Sequence, residues 1–165
     1  MKFSPSPVRT CVPSPLGPLT LAANDMALVG VWFDDQQHRP EWALWSVNDQ
    51  HPVLRQTAQE LQQYFAGQRR HFDVPLDLSH GTDFQQRVWN SLLAVAAGTT
   101  STYGAIGQAL GKPSAVRAVG GAVGRNPIGI IVPCHRIIGS NGALTGYAGG
   151  LERKVALLRL EGLLL

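Results

Sequence analysis

Residues 130–136 read Ile-Ile-Val-Pro-Cys-His-Arg, and the Cys134-His135 pair is the part of the chain best suited to covalent chemistry. A thiol attacks poorly until it is ionised, and an unperturbed cysteine is only a few per cent thiolate at neutral pH. A nearby base or positive charge corrects this. Neighbours in sequence need not touch, so the turn after Pro133 has to bring sulfur and imidazole together. A third group should orient the imidazole, and Glu161 is the best candidate, being one of only three acidic residues after position 79. The same residues also admit a plainer account, a packing cysteine and a carboxylate at a helix end. Cys11 fits inert strand packing, and His38, His51, His71 and His80 lie in the first half without the spacing of metal ligands.

These side chains need elements to hold them. The run Ile130-Ile131-Val132 suits a buried strand, and Pro133 fixes the backbone before the cysteine. Residues 139–150, GSNGALTGYAGG, hold five glycines in twelve and can form a pocket wall of exposed backbone amides and carbonyls. Upstream, residues 8–33 read as strands, with turns at Ser14-Pro15-Leu16-Gly17-Pro18 and Asn24-Asp25. Residues 34–52 are polar and irregular. Val53, Leu54, Ala58, Leu61, Tyr64 and Phe65 recur at helical spacing up to Gly67, and Phe72, Val74, Leu76 and Leu78 alternate like a half-buried strand. A linker near Ser79-His80-Gly81 then divides the chain into 1–79 and 80–165. The second half is helical. One helix starts at Thr82-Asp83 and ends by Gly98; a second runs from Tyr103 to Leu110. A break at Gly111-Lys112-Pro113 leads to a third, N-capped by Ser114 and running through Val123, and the last spans Leu151–Glu161. Two short helices joined by a three-residue turn form a helix-turn-helix pattern, which many hairpins that bind nothing share.

Composition narrows the function class. Across 165 residues, 44% apolar and 15% charged side chains support a real core. No run approaches the roughly 18 apolar residues of a membrane span, and the start, MKFSPSPVRTCVPSPLGPL, has no apolar stretch of a signal peptide. Two cysteines give neither a disulfide framework nor a CxxC zinc pair. A reducing, cytoplasmic location is expected. Residues 1–79 carry a net −2 and residues 80–165 a net +5, an asymmetry that suits a polyanion facing the second half. The third of the helices is built from Ser114, Ala115, Ala118, Gly120, Gly121, Ala122 and Gly124, with Arg117 its one long side chain. Such smallness serves either tight core packing or close approach to a nucleic-acid groove. A major-groove reader carries several long polar side chains, so this helix suits a minor groove better.

Pro133-Cys134-His135-Arg136 and its surroundings closely resemble the O6-alkylguanine-DNA alkyltransferases, over almost the whole chain. Ser14-Pro15-Leu16-Gly17 with Leu19-Thr20-Leu21, Gly81-Thr82-Asp83-Phe84-Gln85 with Val88-Trp89, Tyr103-Gly104, Arg117-Ala118-Val119-Gly120, Asn126-Pro127, Gly146-Tyr147, Gly149-Gly150, Lys154 and Glu161-Gly162 follow in the family's order. The resemblance implies an α+β fold: a small N-terminal α/β domain, ribonuclease H-like, and a mainly helical C-terminal domain with a winged-helix-like helix-turn-helix. It implies irreversible, single-turnover transfer of the alkyl group of O6-alkylguanine, and of O4-alkylthymine, from double-stranded DNA to Cys134 after base flipping. No cofactor and no metal are implied. The protein would be a monomer in solution, with cooperative assembly on DNA left open. By position, His135 is the general base acting through a water, Glu161 its orienting carboxylate, and Asn126 the organiser of the active-site hydrogen bonds. Tyr103 supports flipping and donates to the departing guanine, and Arg117 fills the emptied stack. Ser114, Ala118, Gly121 and Arg125 fall on the DNA side; Ile137, Tyr147, Ala148 and Gly149 fall at the base pocket. Backbone carbonyls of Cys134 and Ile137 would accept from the guanine amino group, and the Ala148 N–H would donate to O6. The sequence departs from the family at Val95-Ala96-Ala97-Gly98 and at Gly129. Two rivals remain in view: lesion-flagging alkyltransferase-like proteins, which replace the acceptor cysteine that Cys134 retains, and a cysteine hydrolase using Cys134, His135 and Glu161.

Overall fold

Strand-forming residues flanked by turn signals give an antiparallel meander of β1 (Val8–Val12), β2 (Leu19–Ala23) and β3 (Leu28–Phe33), ordered β1-β2-β3. A computed structural model describes residues 1–164. Leu19 faces Phe33 and Leu21 faces Val31 across β2 and β3, with an irregularity at Ala22/Ala23. Every residue of β2 and β3 is buried, because the sheet is covered on both sides. One face meets the main core with helix α1 (Pro52–Phe65); the other holds Ala22, Val29, Trp32 and Trp45 under Phe3 and Trp42. Helix α1 begins where the His51 Nδ1 accepts the Val53 N–H at 3.2 Å and Pro52 fills the first turn.

The alternation at residues 72–78 does not give a strand. Leu76 makes a single parallel bridge to Leu28, in which Leu28 N–H donates to Pro75 O and Asp77 N–H to Leu28 O. Pro75 has no N–H for a ladder, and the Asp77 side chain takes the Ser79 N–H and the Asn24 amide instead. Val74 and Leu78 still pack into the core.

In the second half, α2 (Asp83–Leu92) opens with a reciprocal capping box. Gln85 N–H donates to Thr82 Oγ1, and Thr82 N–H donates to Gln85 Oε1. It stops at Leu92, short of Gly98, and the intervening residues run through turns. Helices α3 (Tyr103–Ala109) and α4 (Val116–Gly124) form the helix-turn-helix. Ser114 does not cap α4. Ala115 occupies that position with no side-chain bond, because its N–H closes a turn onto Lys112 O and leaves Ser114 exposed. Strand β4 (Ser101–Thr102) pairs in parallel with β5 (Ile137–Ile138), and α5 (Leu151–Leu160) packs beside Cys134–Arg136.

The two halves are joined through backbone. Val31 N–H donates to Pro127 O and Gly129 N–H to Val31 O, so the sheet borders the segment leading to the cysteine. Arg153 of α5 donates to Leu16 O and pairs with Asp35 at 2.7 Å. Trp89, fully buried on α2, donates its indole N–H to Ala122 O of α4 at 2.8 Å. Trp89→Phe keeps most of the apolar volume and leaves the Ala122 carbonyl only the Arg125 N–H at 3.1 Å, so it should cost about 1 kcal/mol, the net worth of one hydrogen bond, in denaturant unfolding; an unchanged midpoint would show the bond to be dispensable.

Candidate active site

The apolar run before the cysteine is not a strand. Ile131 N–H donates to Gly129 O, Val132 N–H to Ile128 O and Cys134 N–H to Val132 O, winding residues 128–134 into tight turns. Ile130 sits at φ +69°, a conformation that costs a β-branched residue on the order of 1–3 kcal/mol. The turns run into a short 3₁₀ segment, Cys134–Arg136, whose three side chains are all buried. Asn126 fixes this winding from within. Its Oδ1 accepts the Ile128 N–H at 3.0 Å, while its Nδ2 donates to Val132 O at 2.7 Å and to Cys134 Sγ at 3.2 Å.

Cys134 is 8% exposed. Burial pushes its thiol pKa up; the Asn126 amide and the Lys154 ammonium pull in the opposite direction without winning. The resting sulfur is therefore a neutral thiol that needs a base. His135 is fully buried, and its Nε2 lies 2.8 Å from Glu161 Oε1. Burial favours a raised pKa for Glu161, but hydrogen bonds from His135, Arg136 and Tyr64 overcome it and hold the pKa down at about 2. An ionised carboxylate only accepts, so Nε2 carries the proton and Nδ1 presents a lone pair. Nδ1 is buried and has no hydrogen-bond partner among the described residues. Burial also lowers the imidazole pKa, against the pull of Glu161, so a neutral base is ready at neutral pH.

Glu161 is more crowded than the sequence suggests. Arg136 donates from Nη2 to Oε1 at 2.8 Å and from Nε to Oε2 at 2.9 Å, and Tyr64 of α1 donates its hydroxyl to Oε1 at 2.8 Å. Neither role was legible: Arg136 counted only toward the basic excess of the second half, and Tyr64 only toward the apolar spacing of α1. Lys154 is likewise interior, 0% exposed, with Nζ donating to the carbonyls of Ile137, Thr145 and Gly146. It ties the glycine-rich loop to the segment after the cysteine. A lysine on an otherwise apolar helix face was the available signal.

A cleft of about 540 Å³ opens over the sulfur. The loop supplies Thr145, Gly146, Tyr147 and Ala148 to its wall, and α3 and α4 supply Tyr103, Gly120 and Gly124. Tyr103 donates its hydroxyl to Thr145 O at 3.3 Å. Of the expected pocket residues, Tyr147 and Ala148 line the cleft. Gly149 stands behind it, where a Cβ would lie 3.1 Å from Phe33 and 2.9 Å from Tyr147. Ile137 is also behind, fully buried, its carbonyl bonded to Lys154. Gln37 and His38 of the first half complete the wall, Gln37 N–H donating to Ala148 O at 3.0 Å. No motif in that polar stretch marked them. Among the described residues no group of three or more His, Cys, Asp or Glu is placed to hold a metal.

On α4, Arg117 and Ala118 are exposed, as is Ser114 before it. Arg117 makes no hydrogen bond or ion pair among the described residues. Arg125 is exposed too, and donates to Gly121 O at 3.2 Å. The glycines are not small for the protein's own packing. A Cβ would meet nothing closer than 3.9 Å at Gly120 or 3.7 Å at Gly121, and nothing within 4 Å at Gly124. The basic excess of the second half is partly internal, since Arg136 and Lys154 are buried and Arg153 is paired. Arg87, Lys112, Arg117, Arg125 and Arg159 remain outside.

Residues 8–78 match the model of the 6-O-methylguanine DNA methyltransferase ribonuclease-like domain, and residues 83–163 match that of the same family's DNA binding domain. A methylated-DNA–protein-cysteine methyltransferase of Mycobacterium tuberculosis (strain H37Rv) is 49% identical over 150 residues, covering 91% of this chain and 89% of the relative. The Haemophilus influenzae protein of the same name is 42% identical over 153 residues, covering 92% and 84%. The crystal structure of Mycobacterium tuberculosis OGT in complex with DNA superposes with a TM-score of 0.86 at 48% identity, covering 93% of this chain and 92% of that one. Likeness of this depth runs through both halves of the molecule, and the chain belongs to the methylated-DNA–protein-cysteine methyltransferase family.

Proposed function

We propose that this protein repairs alkylated double-stranded DNA by moving the alkyl group of O6-alkylguanine, and of O4-alkylthymine, onto Cys134, once per molecule. The observation that carries the reading is a buried thiol lining a cleft, followed in the chain by a buried imidazole whose Nδ1 is free to take a proton while Nε2–H is held by an ionised Glu161. Residues 80–165 act as the DNA-binding alkyl acceptor and residues 1–79 as the domain that supports it. The protein works as a cytoplasmic monomer and needs no cofactor.

A target alkyl carbon stacked in a duplex is out of reach until its nucleotide rotates out, at a cost of a few kcal/mol. Arg117, long and unpaired on a helix of small residues, takes the emptied place, and Ala118 and Gly121 let α4 approach the minor groove. Ser114 and Arg125 face the phosphates. The flipped base enters between Tyr103 and the loop at Tyr147 and Ala148, where the Ala148 N–H donates to O6. The Cys134 proton passes to His135 Nδ1, through a water in the family's scheme. The thiolate attacks the alkyl carbon in line and the C–O6 bond breaks, leaving its electron pair on the guanine. A donor on that anion, assigned to the Tyr103 hydroxyl, is worth about 3 kcal/mol in comparable sites. The product is a thioether that neither water nor thiols readily reverse.

Cys134→Ser should end transfer from an O6-methylguanine duplex while leaving duplex binding intact, with no mass gain on the protein; transfer by that variant overturns the assignment. Arg117→Ala should slow repair in duplex DNA by tenfold or more, about 1.4 kcal/mol, yet barely change reaction with free O6-benzylguanine; equal losses would remove its role in the stack. Gly121→Ala should stabilise the free protein by up to about 1 kcal/mol, since the added methyl has room and alanine favours helix. It should also weaken duplex binding, and unchanged affinity would return the small residues of α4 to a folding role.

A further inference from the structure

We propose that Tyr64 is a positioning residue of the relay, the hydroxyl through which the N-terminal half sets how strongly Glu161 holds the His135 imidazole. The inference rests on the proposed transfer to Cys134. Tyr64 lies near the end of α1 and is 2% exposed, packed edge-on against Phe65 and tilted against Phe72. Its hydroxyl donates into a carboxylate 97 residues away. That same oxygen, Oε1, already accepts from His135 Nε2 and Arg136 Nη2, all three donors at 2.8 Å. A carboxylate oxygen has two lone pairs, so three donors share what two would fill, and each weakens the others' hold. The hydroxyl remains a donor throughout, because burial first and the Glu161 charge second push its ionisation far above the ordinary range.

The direction of the effect follows. Glu161 is what raises the basicity of His135 against burial. A donor that draws charge from Oε1 lowers that basicity; removing it returns charge to the imidazole. Other groups facing the imidazole are Arg136, beside it on the 3₁₀ segment, and Lys154 of α5, both opposing its protonation, with the Cys134 thiol next in sequence. None of these is displaced when only the Tyr64 hydroxyl is removed. A part of the molecule remote from the DNA side thus tunes the proton acceptor.

The test is the pH dependence of single-turnover methyl transfer from a labelled O6-methylguanine duplex. In the unaltered protein the rate falls on the acid side as His135 protonates. Tyr64→Phe should move that limb to higher pH by about half a unit or more, roughly a threefold lower rate on the limb relative to the plateau. Replacing Tyr64 with 3-fluorotyrosine, a more acidic phenol and a stronger donor of nearly the same size, should move the limb the other way. Opposite shifts support the proposal. Limbs that stay in place in both variants, with rate lost only as folded protein is lost, overturn it and leave Tyr64 a packing residue. If Tyr64→Phe fails to fold, the fluorinated protein alone decides, by whether its limb moves down. Should the unaltered protein transfer no methyl group, it is the proposed function that falls.

Discussion

An ionised carboxylate inside a protein must be surrounded by donors or it will not stay ionised, and the placing of Glu161 organises the rest of this molecule. Four hydrogen bonds from three residues converge on it. They come from the first long helix, from the 3₁₀ segment carrying the cysteine, and meet at the end of the last helix. Solvating that one charge thereby brings the three elements into register. The orientation of the imidazole follows, since its Nε2 proton is one of the donors the carboxylate requires. In the same way Arg136, a guanidinium with almost no access to water, is tolerable only because Glu161 and the Val95 carbonyl occupy its donors.

The chemistry that results differs from a preformed thiolate–imidazolium pair. Burial disfavours charge on both Cys134 and His135, in opposite senses of pKa, so both rest neutral. Charge separation is then deferred until a substrate fills the cleft. A thiol kept neutral under an Asn126 donor is a poor target for small electrophiles and oxidants, which suits a group that can react only once. Loop, helix pair and first-half residues each supply one wall of the cleft, so its shape depends on the sheet being in place as well as on the helices.

Much of this was legible in the residues. Thr82-Asp83 announced the start of α2, and the Cys134-His135 pair with a scarce late carboxylate pointed to the relay. The misses have physical causes. The alternation at Phe72–Leu78 ignores what Pro75 removes from a ladder, and the apolar run at Ile130–Val132 is buried by winding under Asn126, which hydropathy does not distinguish from a strand. Ser114 had the right side chain for a cap one residue too early. Tyr64, Gln37 and His38 acquire their positions only through contacts between distant segments, and nothing in local pattern encodes those. Charge counting overstated the basic face because two of its members neutralise interior oxygens.

The reach of the Tyr64–Glu161 contact bears on how the protein is made. A chain synthesised only through Arg136 already holds its thiol, but the carboxylate that orients the imidazole lies 25 residues further on. Until α5 closes against the first helix, the sulfur has no organised base. Chemical competence therefore waits on residues made after the cysteine, and a chain without α5 carries its nucleophile unarmed.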